Sequence, residues 1–178
     1  MPPDCQVRLL REVDLPAYKK LRDVMLARHP DAFTSDAETE LLRSAESYRS
    51  RLSGGNGGAN LFTLAAWQGT GLVGAISCER EPRAKVRHIV HIIGMMVVDH
   101  LHGQGVGRQL LEGALRLLQG EPSIELATLS VTASNTAAVR LYERCGFSRY
   151  GCLQGAMRLA DGTTLDKDLM SCKLRAAS

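Results

Sequence analysis

Three glycines stand at alternate positions, Gly103, Gly105 and Gly107, inside "VVDHLHGQGVGRQLLEGAL" (97–115). An apolar run precedes them and a helical pattern follows. Glycine is a poor helix starter, so the plain reading is a flexible turn. The chemical reading is an anion site. The first N–H groups of a helix have no partner within it, and the helix dipole favours negative charge there. Glycines let such a backbone approach a ligand with no Cβ in the way. The spacing is not the GxGxxG of dinucleotide folds, and no lysine follows as in a nucleotide-triphosphate loop.

A second segment, "NTAAVRLYERCGF" (135–147), places Asn135 at a helix start, Tyr142 seven residues on, and Gly146-Phe147 at the close. Asn135 reads as a helix cap. Tyr142 reads as packing on an apolar face with Ala138, Leu141 and Cys145.

Together the two segments resemble the GNAT superfamily of N-acetyltransferases. Its first loop has the form Gln/Arg-x-x-Gly-x-Gly/Ala. Here that loop runs through His102, Gly103, Gln104, Gly105, Val106 and Gly107, with His102 where the family has Gln or Arg. The resemblance is dense from about residue 61 to 150. It implies an α/β (α+β) fold: a mixed, mostly antiparallel central sheet flanked by helices, its central strands splayed into a coenzyme A cleft. It implies acetyl-CoA as acyl donor, with loop amides on the pyrophosphate. Backbone groups of Met96, Val97 and Val98 would meet the pantetheine arm. Asn135 would touch that arm or hold its loop, and Ala138 would border it. Tyr142 would protonate the leaving thiolate. Arg108, Arg140 and Arg144 would reach phosphates, or else line solvated helix faces.

The reaction needs a neutral amine. A lysine-like amine has a pKa of about 10.4, so deprotonating it at pH 7 costs roughly 4–5 kcal/mol. A base titrating near neutrality offsets part of that. In parts of the family a glutamate at this distance before the loop serves. His91 is the substitute suggested here, with a hydrogen-bonded core histidine as the alternative. Strand alternation puts His91 on the face of Ile93, Met95 and Val97. Glu79 and His88 are weaker candidates, and ordered water alone suffices in many members. Asp31, Asp36 and Glu38 would draw a cationic amine, or simply solvate their loop.

The elements that must position these residues follow from pattern. "QVRLLREVD" (6–14) reads as a strand. Asp14 and Pro16 suit the start of a helix carrying Leu15, Tyr18, Leu21, Val24 and Met25 on one face. "SAESYRSRLSGG" reads as a short second helix, and "GGNGGAN" (54–60) as a mobile turn. Strands follow at 61–68, 71–81 and 88–99, the first two joined by Gly69-Thr70-Gly71. The third is apolar on both faces, as a central strand should be. Val106, Leu110, Leu111, Ala114, Leu117 and Leu118 form the apolar face of the helix after the glycines. Residues 124–132 make a further strand. A last hairpin turns at Asp161-Gly162. The acceptor pocket is expected between the first two helices, "RHPDAF" and that hairpin.

Bulk properties bound the rest. A chain of 178 residues suggests one domain, 1–178. The formal charge of +3 is small, and aromatics are 4%. No basic stripe interleaved with aromatics points to nucleic acid. No apolar run is long enough for a membrane span. The five cysteines include no CxxC pair, which suggests neither a disulfide framework nor a metal site and fits a cytoplasmic protein. The expected partner is a small-molecule or peptide amine, with homodimerisation left open. Competing readings are a non-catalytic acyl-CoA sensor and a transferase of longer acyl groups.

Overall fold

The computed structural model describes residues 4–54 and 60–175. The "GGNGGAN" turn falls largely outside them. Seven strands form one sheet: β1 (Gln6–Leu9), β2 (Asn60–Gln68), β3 (Gly71–Arg80), β4 (Ile89–Val97), β5 (Leu126–Thr132), β6 (Ser148–Arg158) and β7 (Thr164–Lys173). Their order is β1-β2-β3-β4-β5-β7-β6. Every neighbouring pair is antiparallel except β4–β5, which is parallel. A parallel pair needs a crossover. Helix α3 (Val106–Gln119) supplies it.

Two cores form, one on each face. On the first, α3 and α4 (Thr136–Arg144) cover Leu64, Ile76, Val90, Ile92 and Val131 with Leu110, Leu111 and Tyr142. On the second, α1 (Leu15–Arg28) brings Leu15, Tyr18, Leu21 and Met25 against Ala65, Ala75 and Met96. The small alanines let α1 lie close to the sheet. Thr63 and Ser77, paired across β2 and β3, bond to each other at 2.7 Å inside this layer.

Several expectations change. Val24 and Leu117 are exposed, each at the margin of its helix's apolar stripe. The second helix is a 3-10 segment, Ala45–Arg51, preceded by a five-residue α2 (Ala37–Leu41) that the pattern did not suggest. Asp36 caps α2 by accepting from the Thr39 N–H at 2.8 Å. Asp14 does not cap α1 through its side chain. Its carboxylate instead takes the Arg8 guanidinium at 2.6 and 2.9 Å and the Arg11 N–H at 2.8 Å. Asp14 is 5% exposed, so an ion partner outweighs one helix N–H there.

The decisive local feature is in β4. Ser77 pairs with Ile93 but Ala75 with Met96, so β4 carries one extra residue between them. This is a β-bulge, with Gly94 at φ +59°. A one-residue insertion exchanges the faces of everything beyond it. Before it, Val90 and Ile92 pack under α3; after it, Met95 and Val97 do. His91 and Ile93 therefore lie on the α1 face, opposite Met95 and Val97, and the single-face expectation is wrong.

Candidate active site

β4 and β5 pair over only three residues, Ile89↔Leu126, Val90↔Ala127 and His91↔Thr128. Beyond His91 the two strands diverge. A cleft of about 570 Å³ opens there, lined by Ile89, His91, Ile93, Thr128, Tyr150 and Leu169, among others. Its walls come from the strands and from β6 and β7. Of the elements expected around the acceptor, the last hairpin lines this cleft; the first two helices and "RHPDAF" are not among its lining residues, though that connection touches the sheet where the Thr132 hydroxyl donates to the Asp31 carbonyl at 2.6 Å.

At the C-terminal end of β4 the chain makes a 3-10 turn, Asp99–Leu101, and enters the glycine loop. Gly103 and Gly105 have φ of +74° and +90°, a region other residues avoid. Gly107 is different: it is helical, and a Cβ there would lie 3.0 Å from Met95 Cε and 3.3 Å from Leu141 Cδ2. Two glycines thus shape the loop, and the third lets α3 close onto β4 and α4. The Gln109 N–H donates to Gly105 O at 2.9 Å as the first bond of the helix. The N–H groups of Val106, Gly107 and Arg108 therefore lie ahead of it, as an anion site requires. The Arg108 side chain is exposed and pairs with Glu112 at 2.7 Å. Arg140 and Arg144 are also exposed.

His102 is exposed and folds back onto the end of β4. Its Nε2 donates to the Val97 carbonyl at 2.7 Å, and its ring lies 6.1 Å from that of His29. His29 at the end of α1 reaches Asp99 at 2.6 Å, and Arg28 reaches it at 3.0 Å. Those contacts hold the Asp99 carboxyl below its usual range, His29 contributing most. The loop entrance is thereby tied to both β4 and α1.

Tyr142, 8% exposed, points its hydroxyl at Met95 Sδ, 3.5 Å away, and stacks edge-on against Phe147. Burial pushes its hydroxyl up to about 12. It stays protonated at physiological pH, as a proton donor must. Packing with Ala138 and Leu141 is equally real. Asn135 caps α4, its Oδ1 accepting from the Ala138 N–H at 3.2 Å.

His91 faces the cleft from the other side. Its Nδ1 lies 2.6 Å from Thr128 Oγ1, and its Nε2 3.1 Å from Glu81 Oε1. His91 holds Glu81 below the usual carboxylate range. A carboxylate and a hydroxyl on the two ring nitrogens fix orientation and tautomer. Glu79 is engaged by Arg51 at 2.9 Å. Sequence reasoning missed Glu81 and Thr128. The hydroxyls at 128, 130 and 132 alternate along "LATLSVT", a period-two signal for one polar face in an apolar strand.

No helix among the described residues is long and apolar enough to cross a membrane.

Residues 19–147 match the acetyltransferase (GNAT) family model. A phosphinothricin N-acetyltransferase from Alcaligenes faecalis is 28% identical over 172 residues, covering 97% of this chain and 84% of that one. A mycothiol acetyltransferase from Salinispora tropica is 39% identical over 72 residues, 40% of this chain. The match spans only 22% of that relative's length. A GNAT-family acetyltransferase from Streptococcus pneumoniae superposes with a TM-score of 0.82 at 23% identity, over 96% of this chain and 99% of that one. At that identity the likeness concerns the fold.

Proposed function

The chain belongs to the acetyltransferase (GNAT) family, and from that premise we propose that it is an N-acetyltransferase acting as a single domain. Acetyl-CoA supplies the acetyl group as a thioester. A primary amine attacks it directly in a ternary complex, with no acyl-enzyme. Burial is the first cause raising the Cys145 and Cys152 thiols; it outweighs the Arg108 and Arg144 charges beside Cys145 and opposes thiolate formation.

The chain's own residues divide the work. Backbone amides from Gly103 through Arg108 hold the pyrophosphate. Backbone groups of Met96, Val97 and Val98 line the pantetheine path, with Asn135 and Ala138 beside it. His91, oriented by Glu81, takes the amine proton through the Thr128 hydroxyl, which accepts it from the amine as it gives its own to His91 Nδ1. Tyr142 gives its hydroxyl proton to the departing sulfur.

One observation carries this reading: β4 parts from β5 beyond His91, and the bulge sends His91 to one face and Met95, with Tyr142, to the other. A base and an acid on opposite sides of one gap suit transfer between two substrates entering from opposite faces. The test is an amine panel with acetyl-CoA, reading free thiol. Tyr142→Phe is expected to lower kcat by roughly 10²–10⁴ while leaving CoA affinity intact. Unchanged turnover removes Tyr142 as the acid. No thiol release from any amine overturns the transferase reading in favour of a sensor.

A further inference from the structure

Behind the bulge, on the α1 face, lies a polar pair whose hydrogen-bonding capacity the fold uses only in part. Tyr18 is fully buried, and its hydroxyl has no hydrogen-bond partner among the described residues. Arg22, one turn along α1, is 4% exposed. Its Nε donates to Glu40 Oε2 at 2.9 Å and its Nη2 to Ser35 Oγ at 2.8 Å. Its Nη1 has no such partner among the described residues. Tyr18 Oη and Arg22 Nη1 both stand 3.9 Å from the point where a Cβ on Gly94 would lie. Gly94 itself is half-buried and adjoins Ile93, which lines the cleft. Its bare Cα leaves a small recess facing two donors, next to the strand end where the reaction is placed.

The charge around the recess is positive. Glu40 is spent on three donors: Arg22, Tyr48 at 2.7 Å and Arg43 at 3.0 Å. Two guanidiniums face one carboxylate, so an incoming cation finds no free acid there. An incoming carboxylate finds a guanidinium N–H and a hydroxyl without partners. A buried hydroxyl left unpaired forgoes the bonds it keeps in water, and an arriving anionic oxygen restores one. The nearby cleft wall is apolar, from Ile89, Ile93, Leu126 and Leu169.

We propose that Tyr18 and Arg22 recognise a carboxylate on the acceptor, which makes the acceptor class an α-amino acid with an apolar side chain. This rests on the amine-acetylating reading. It opposes a polyamine or a peptide N-terminus, neither of which carries a carboxylate beside its amine.

The test pairs L-phenylalanine with L-phenylalaninamide as acceptors. The acid is expected to exceed the amide in kcat/KM by about 30-fold, the scale of a charge-assisted hydrogen bond. Tyr18→Phe removes only an oxygen that bonds nothing in the fold, so its Tm should hold. It should raise KM for phenylalanine about 5–10-fold and leave KM for acetyl-CoA and for the amide unchanged. Arg22→Lys, with folding checked by circular dichroism, should erase most of the acid preference. Calorimetry adds an arm independent of turnover, titrating N-acetylphenylalanine and its amide into the CoA-loaded protein. Preference for the acid without turnover sustains the carboxylate site and overturns the transferase. Equal behaviour of acid and amide in both arms, or an acid preference that survives both variants, overturns the site.

Discussion

His102 Nε2 donates to the carbonyl of Val97 at 2.7 Å, closing a ring from the end of β4 to the start of the glycine loop. The family places Gln or Arg at this position. Here an imidazole folds back onto β4, so the side chain buttresses the loop, and the loop's own amides are left to face an anion. His102→Ala is expected to weaken CoA binding about 5–10-fold by calorimetry, the worth of one hydrogen bond and the order it imposes. His102→Gln, which keeps a donor, should recover most of the loss. Equal affinity in all three proteins would show that the glycine conformations alone set the loop.

His91→Ala is expected to lower kcat about 100-fold and to flatten the acid limb of kcat/KM. The sign follows from the role: a base must be unprotonated, so wild-type activity falls as pH falls, and the variant loses that dependence. Glu81→Gln should shift the limb without abolishing it. An unaltered limb in His91→Ala assigns the proton to water or another group.

Glu40 sets the acid stability of the α1 side. Burial alone would raise its carboxyl, but hydrogen bonds from Tyr48, Arg22 and Arg43 outweigh that and lower it to about 2. A depressed acid stabilises the fold above its unfolded value near 4.5, and that contribution drains away as pH falls toward 2. Glu40→Gln should flatten urea stability across that window. At pH 7 it should cost about 3–5 kcal/mol, because Arg22 is left buried without its anion.

Gly107→Ala tests the helix–strand contact. Met95 Cε at 3.0 Å and Leu141 Cδ2 at 3.3 Å must give way. A loss of about 1–3 kcal/mol in chemical denaturation is expected. Met95 also receives the Tyr142 hydroxyl, so kcat should fall with stability. Full stability with full activity would show that the contact relaxes freely.

Much of this was legible in the sequence. The helix after the glycines announced itself through Val106, Leu110, Leu111 and Ala114, since burial of one helical face demands that spacing. The hairpin at Gly69-Thr70-Gly71 was marked by residues that tolerate tight turns. The bulge was not legible. "HIVHIIGMMVVD" is apolar at almost every position, so slipping one residue leaves the pattern unchanged, and both faces are buried either way. Arg22 and Glu40 were equally hidden: they are polar residues in unremarkable segments, and their burial is a product of tertiary packing. His91 was singled out by type, yet its face was wrong for the same reason that the bulge was silent.

The bulge at Gly94 also divides the labour of a single strand. Before it the odd-numbered residues Ile89, His91 and Ile93 face the α1 side; after it the odd-numbered Met95 and Val97 face α3. Substitutions at Ile89 or Ile93 can reshape the cleft without disturbing the wall that Met95 and Val97 build under α3. One side of the strand can therefore vary while the other keeps its packing. The cost of that freedom is a single point of failure: deleting Gly94 would restore strict alternation and exchange the two compartments at a stroke.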